Sequence, residues 1–471
     1  MTQQPPHPYH WKEGSRGTRP GLTRRSAAVS LPLAASAVAL AACGPQAAPA
    51  ENPQAPAKPK QTTEWWTGWG GVPANESFKK VEETANAQSR TYEVVHTRVS
   101  GVATKLVEVI VAGSPPDVEI GNLPYAEFWV QGYAEPLDQR LSKSKVIKKE
   151  DLPPAAWKLG GYKGKQFGVP AVEGFIRWGL AANEELLTQR GLDPAKIPTV
   201  WDELLRWHQQ LTVVEGGALK QLGLDPLDAM GSGAGGPDPL VWGPSWGVRF
   251  WDEAKEQFNL TQPGLEEAVS TIKRFYDIAG GKPAIDEFRK AYGTWSGAKS
   301  GIASGTQAMQ INGPWTPGEL AKNAPDKRYV YTWVAVPNAR KGKKIQSTGG
   351  HFANLPKGSP HPDEAFQFIE FVWSDQAMDI IFDGTGWLTA RKSYLSKVDT
   401  SKYRGLDFYV KSVTQADEMW AAPVNPIDGF FRDAWRAHVG DVLSGKMSPK
   451  SALQELQRLC SEELSSRTGK R

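Results

Sequence analysis

The chain has 471 residues, 40% hydrophobic and 23% charged, with a formal charge of +4. That length exceeds one ordinary core and that balance excludes a disordered chain, so two or three folded units are expected. Residues 1 to 42 hold five of the 55 basic residues and one of the 51 acidic ones, leaving 50 of each. A neutral body excludes the concentrated positive face that a nucleic-acid partner demands.

The chain opens with a basic stretch ending in Arg24-Arg25, followed by the apolar run "SAAVSLPLAASAVALAA". That run is too short to span a bilayer permanently and reads as an export signal, residues 1–42. "LAAC" at 40 to 43 resembles a lipobox, which makes Cys43 the lipid-bearing first residue of the mature chain. "TRRSAA" resembles a twin-arginine signal, with Ala27 and Ala28 where larger apolar residues are usual, and both export routes stay open. The Pro- and Ala-rich residues 43–60 predict an extended tether, holding a globular body off the outer face of the cytoplasmic membrane.

From residue 61 onward strands and helices alternate. "EWWTGWGG" (64–71) begins as a strand, so Trp65 and Trp66 face opposite sides. One is expected in a core, the other beside Trp69 at an opening. "YEVVHTRV" (92–99) predicts a strand, "KLVEVIVAG" (105–113) a helix closed by glycine, and "PDVEIG" (116–121) a short buried strand. This succession predicts an α/β fold with a parallel sheet. "KSKVIKK" (143–149) and "RKGKK" (340–344) read as solvated loops. "PTVWDELLRWHQQLT" (198–212) predicts a helix capped by Thr199, with Asp202 three residues on.

Residues 223–250 interrupt the rhythm with glycine and proline, as functional loops do. "GSGAGG" (231–236) fits a dinucleotide fingerprint, but Pro237 and Pro239 prevent the helix start that a phosphate needs. "GPSWG" (243–247) fits a nucleophile elbow around Ser245, with His351 and His438 as possible bases, although Pro244 and Trp246 crowd the turn. "HPDEAFQFIEFVW" (361–373) predicts a helix burying Ala365, Phe366, Ile369, Val372 and Trp373. Near the end, Cys460 shares a helical stripe with Leu453 and Leu456 and is expected in a core. His96, His208, His351, His361 and His438 show no ligand spacing, so no metal or other cofactor is expected.

Several stretches together carry a family pattern: "AGSPPDVEIGNLPYAEFWVQGYAEPLD", "GKQFGVPAVEGFIRWGLAANEELL", "GTQAMQINGPW", "STGGHFANLPKGSPHPDEAFQFIEFVWSDQA", "GWLTARKSYL" and "AAPVNPIDGFFRDAWRAHVGDVLSGKMSPKSALQELQ". In this order and spacing they resemble the extracellular solute-binding proteins of ABC importers, in the branch of maltodextrin-binding protein. The resemblance covers residue 61 onward. It implies a two-lobed, periplasmic-binding-protein-like α/β fold (type II) whose lobes exchange segments across a hinge and enclose a cleft. One lobe is expected at 61–172 with 350–395, the other at 173–349 with 396–471.

The resemblance further implies a monomeric binding protein, not an enzyme, that passes a sugar or oligosaccharide to a membrane permease. Its site residues would be Trp66, Trp69, Asn122, Glu173, Trp242, Trp246, Trp315, Gly350, His351, Trp387 and Phe431. A pyranose has an apolar face that an indole can cover, and hydroxyls that carboxylates and amides can bind. Trp129, Trp178, Trp201, Trp207, Trp373 and Trp435 fall on strand and helix patterns and are assigned to core. Asn122 stands where maltodextrin binders carry an aromatic, and His351 and Phe352 where small residues are usual, which argues against maltodextrin itself. Two alternatives stay open. A cleft arginine such as Arg249 or Arg391 would suit a glycerophosphodiester or another polar solute. Ser245 would suit a secreted hydrolase.

Overall fold

The computed structural model describes residues 59–68, 72–121, 125–174, 178–227, 243–292 and 297–469. The first part forms β1 (Gln61–Thr67), α1 (Val72–Gln88), β2 (Tyr92–Arg98), α2 (Val102–Val111), β3 (Val118–Gly121), α3 (Tyr125–Val130), α4 (Pro154–Lys158) and β4 (Gly168–Gly174). Next come β5 (Gly179–Asn183), α5 (Trp201–Leu211), β6 (Val213–Glu215), β7 (Ala218–Leu224), α6 (Pro263–Ile278), α7 (Gly281–Tyr292), β8 (Gln307–Asn312), α8 (Thr316–Asn323) and β9 (Tyr329–Thr332). The chain closes with β10 (Ile345–Thr348), β11 (Gly350–Asn354), α9 (Pro362–Trp373), α10 (Asp375–Thr385), α11 (Leu406–Gln415), β12 (Glu418–Ala421), α12 (Asp428–Leu443) and α13 (Pro449–Thr468).

Two five-stranded sheets organise these elements, ordered β2–β1–β3–β11–β4 and β9–β5–β8–β7–β6. In the first, β1 lies parallel to β2 and β3, while β11 runs antiparallel to β3 and β4. In the second, β8 lies parallel to β7 and antiparallel to β5. The chain passes from the first sheet to the second after β4 and returns between β10 and β11, which gives two lobes built from exchanged segments.

Each lobe has its own core, and β1 shows how the first is built. Trp65 is fully buried on one face, its ring 5.3 Å from Phe78 of α1 and 5.1 Å from Phe368 of α9. Trp66 points the other way, into a cluster with Leu106 of α2 and Phe128 and Trp129 of α3. The strand alternation read from the sequence is therefore realised, with helices covering both faces. The second core gathers Trp201 and Leu204 of α5, Phe275 of α6, Trp435 of α12 and Cys460 of α13.

The expected Thr199 cap is not formed. Val200 occupies the cap position of α5 without a side-chain bond. Instead the Trp201 N–H donates to the Val336 carbonyl at 3.0 Å, and the Val336 N–H to the Thr199 carbonyl at 3.0 Å. A tertiary pairing supplies the partners that a helix start needs. The "RKGKK" run is not wholly solvated either, since Arg340 donates to the carbonyls of Pro244 at 2.9 Å and Ser245 at 3.3 Å.

Between the lobes, β10 and β12 pair in parallel. The fully buried Gln346 of β10 accepts from the Trp178 N–H at 2.9 Å and donates to the Trp178 carbonyl at 2.9 Å and to Ser412 Oγ at 2.7 Å. One amide thus ties the start of β5, the strand β10 and the helix α11 together.

Candidate functional site

Strand direction places the site. In the first sheet β1, β3 and β4 all run toward one edge, where they end at Thr67, Gly121 and Gly174. β11 begins at that edge with Gly350 and His351. In the second sheet β7 and β8 end at Leu224 and Asn312, and β5 begins opposite Asn312 with Gly179. Carboxyl edges of α/β sheets are where ligands bind, because strand ends leave loops and backbone groups unpaired there.

At the first edge the β4–β11 ladder is irregular. Gly350 pairs with Gly174 and Phe352 with Pro170, so β4 passes four steps while β11 passes two. The surplus residues bulge out, and Glu173 stands on this bulge. Val172 adopts a φ of 23°, unusual for a β-branched residue, and Gly350 a φ of 135° that favours glycine. Bulges re-aim side chains beside functional sites. Behind the bulge, His351 is buried with its ring 6.1 Å from that of Trp387, which follows α10. Trp387 is half-buried and its ring lies 6.3 Å from that of Phe78.

From the second edge comes Trp315, at the start of α8 and 5% exposed. Its ring covers Gly313, where a Cβ would approach to 2.4 Å. The lobes meet here, since a Cβ at Gly386 of the first lobe would lie 3.6 Å from the Trp315 Cα. One turn further along α8, burial pushes the carboxyl of Glu319 up to about 8, so it is largely uncharged at neutral pH.

The structure thus gathers Gly350, His351, Trp315, Trp387 and the Glu173 backbone. Three expected aromatics lie elsewhere. Trp66 is in the first-lobe cluster under α2 and α3, its Nε1 donating to Glu64 at 2.7 Å, because strand alternation turns it away from the edge. Trp246 stacks on Trp201 with centroids 5.7 Å apart, so a face that a sugar would use is occupied by protein. Phe431 is 1% exposed, with ring centroids 5.1 Å from Phe258 and 6.2 Å from Trp435. Its neighbour Phe430 is the half-buried one, a one-residue shift on α12 that sequence alone does not fix. Cys43, Trp69, Asn122, Trp242, the Glu173 side chain and the "GSGAGG" stretch lie outside the described residues.

The candidates for the alternatives are occupied or misplaced. Arg391 is 8% exposed and donates to Asp151 at 3.1 Å, to Asp375 at 3.0 Å and to the Trp373 carbonyl. Ser245 is fully buried and its hydroxyl has no hydrogen-bond partner. His438 Nδ1 is bonded to the Ala434 carbonyl of its own helix at 2.7 Å. Nothing in this arrangement activates a nucleophile.

A separate cavity of about 1540 Å³ is lined from both lobes by Trp157, Tyr162, Trp251 and Trp420, and Arg249 is on its wall. The ion pairs Lys158–Glu253 and Lys163–Glu256, both 2.6 Å, bridge the same segments. Its first-lobe wall precedes β4 and sits at the amino end of that strand. None of the expected site residues lines it, so the facing carboxyl edges remain the candidate site. Among the described residues no cluster of His, Cys, Asp and Glu could hold a metal ion, and no helix is long and apolar enough to cross a membrane.

The sequence profile described as bacterial extracellular solute-binding protein matches residues 79–406. No curated protein matches the chain. Among solved structures, CpMnBP1 with mannotriose bound is similar at a TM-score of 0.74 and 23% identity, over 85% of this chain and 99% of that one. An ABC-transporter solute-binding protein from Thermotoga lettingae bound with alpha-D-tagatose gives 0.70 and 20%, over 86% and 100%. The GacH receptor of Streptomyces glaucescens, solved unliganded and with acarbose, gives 0.67 and 21%, over 86% and 99%. These likenesses establish the two-lobed fold.

Proposed function

The chain belongs to the bacterial extracellular solute-binding proteins, a family of binding proteins and not of enzymes, and from that membership we propose that it captures a sugar or oligosaccharide between its lobes for an ABC importer. The observation that carries the reading is the convergence of Trp315 from one lobe with Trp387, His351 and the Glu173 bulge from the other. The half-buried Trp387 offers a stacking face beside Trp315, which is enclosed at the lobe junction, and the His351 imidazole offers a hydroxyl partner. Trp69, Asn122 and Trp242, which follow β1, β3 and β7 in sequence, belong to the proposed set on the family resemblance alone. Similar structures carry mannotriose, tagatose or acarbose. A charged phosphodiester is disfavoured because Arg391 is already committed to two carboxylates and Arg249 lines the other cavity.

Ligand touching both lobes holds them together, so closure is driven by differential affinity for the closed form. A dissociation constant near ~1 μM corresponds to about −8 kcal/mol. In this reading residues 1–42 are removed, Cys43 carries lipid, and residues 43–60 tether a monomer outside the cytoplasmic membrane, where it delivers ligand to the permease. The lobes divide at 61–172 with 350–395 and 173–349 with 396–471.

A thermal-shift series with mannotriose, tagatose and glycerophosphocholine tests the reading. A saccharide should raise the melting temperature of the native chain and leave Trp315→Ala unshifted. A shift with the phosphodiester alone would replace the sugar by a glycerophosphodiester ligand.

A further inference from the structure

Glu127 lies on α3 of the first lobe, but its carboxylate reaches the second. Oε1 accepts the Gly429 N–H at 2.8 Å in the first turn of α12, and Oε2 lies 3.6 Å from Nη1 of Arg467 on α13. A helix start leaves N–H groups unsatisfied and carries partial positive charge, so a carboxylate is favoured there. Ile427, at the cap of α12, has no side chain that could do this work. The approach also needs a small residue, since a Cβ on Gly429 would lie 3.2 Å from Oε1. Burial and, less strongly, the like charge of Asp428 push the carboxyl of Glu127 upward, while the Gly429 N–H, Arg467 and the Phe430 N–H pull it back.

The two halves of this contact are anchored in different bodies. Phe128 and Trp129, next to Glu127, are packed under the first sheet, while Phe431 and Trp435 fix α12 in the second core. Hydrogen bonds weaken steeply beyond about 3.2 Å, so a small opening of the lobes at this point breaks the contact. We propose that Glu127 is an interlobe clasp that seats on the amino end of α12 as the lobes close, so that the protein itself supplies part of the closing free energy. The closed form is then populated before ligand arrives, and apparent affinity rises with that population. This rests on the two-lobed architecture and holds whatever the ligand is.

Small-angle scattering of the ligand-free protein tests it without a ligand. Glu127→Ala should enlarge the radius of gyration and shift the pair-distance distribution outward. Glu127→Gln keeps an acceptor oxygen but loses the charge, and Arg467→Ala removes only the weaker partner, so each should give a smaller expansion in the same direction. A radius unchanged in both Glu127 variants, with cooperative melting retained, would overturn the clasp and leave a fixed pivot in its place. Should Glu127→Ala fail to fold, Glu127→Gln, which loses the charge facing both the α12 start and Arg467, decides alone. Expansion supports the clasp, and an unchanged radius refutes it.

Discussion

Trp65 and Trp66 in β1, and Trp315 and Trp387 in the turns at the cleft edges, are the same residue type put to different uses. The pair inside the strand is 0% and 9% exposed, each indole enclosed by helices on its own side of the sheet. The second pair sits where strands and helices have stopped, and the lobes meet there. A strand interior presents two faces and this fold covers both, whereas Trp387 beyond α10 stays half-buried and Trp315, though only 5% exposed, lies where the lobes touch. Which element a tryptophan abuts therefore says more about its use than the number of tryptophans does.

The contrast breaks first, and by the largest margin, at Trp65. Trp65→Ala should lose about 3–5 kcal/mol in urea unfolding, the cost of a large cavity. The folded fraction should keep the native chain's affinity for whichever saccharide raises its melting temperature, and a tenfold weakening would erase the distinction. Acid offers a second probe of the interior. His208 is fully buried, its Nδ1 accepting the Leu224 N–H at 2.9 Å and its Nε2 donating to the Phe275 carbonyl at 3.0 Å, so the neutral ring is required. Burial lowers its pKa to about 4 from an ordinary 6.5. The unfolded chain then takes up the proton first, and stability present above pH 6.5 drains away between pH 6.5 and 4, on the order of 3 kcal/mol. In His208→Gln that slope between pH 6.5 and 4 should flatten.

At the lobe junction, Gln346→Ala leaves the Trp178 amide groups buried without their partner and should cost about 1–3 kcal/mol in the same assay. Trp387→Ala should be the smallest change. Since the side chain is half-buried, its loss should weaken binding of a saccharide that stabilises the native chain roughly tenfold, about 1.4 kcal/mol by titration calorimetry, and cost less stability than Trp65→Ala.

Much of the fold was legible because periodicity reports burial. The strands at 92 and 118, the glycine-closed helix at 102–111 and the stripe on α9 follow directly from apolar spacing. The proposed site residues, Trp315 in "NGPW" among them, rest on the family resemblance and not on apolar spacing. What spacing cannot give is rotation about a helix axis: the late aromatic that the family resemblance puts at Phe431 is buried, and Phe430 beside it is the more open residue. Nor does a motif disclose what lies across space: Trp246 is occupied by Trp201, and the cap expected from Thr199 is replaced by Val336. The ties that Gln346 and Glu127 make across the fold left no local signal, since those partners lie between 66 and 340 positions away.

The extra length in β4 has one more implication. Val169 and Gly168 keep their partners Ala353 and Asn354 below the irregularity, and Gly174 regains Gly350 above it. Residues 171 to 173 therefore form a small arch whose footings are fixed by the ladder. Ala171 and Val172 of this arch are buried in the first-lobe core, so exchanging either would disturb packing as well as the edge above it. One strand therefore does two jobs at once, its footings holding the ladder while its span ties the core to the carboxyl edge.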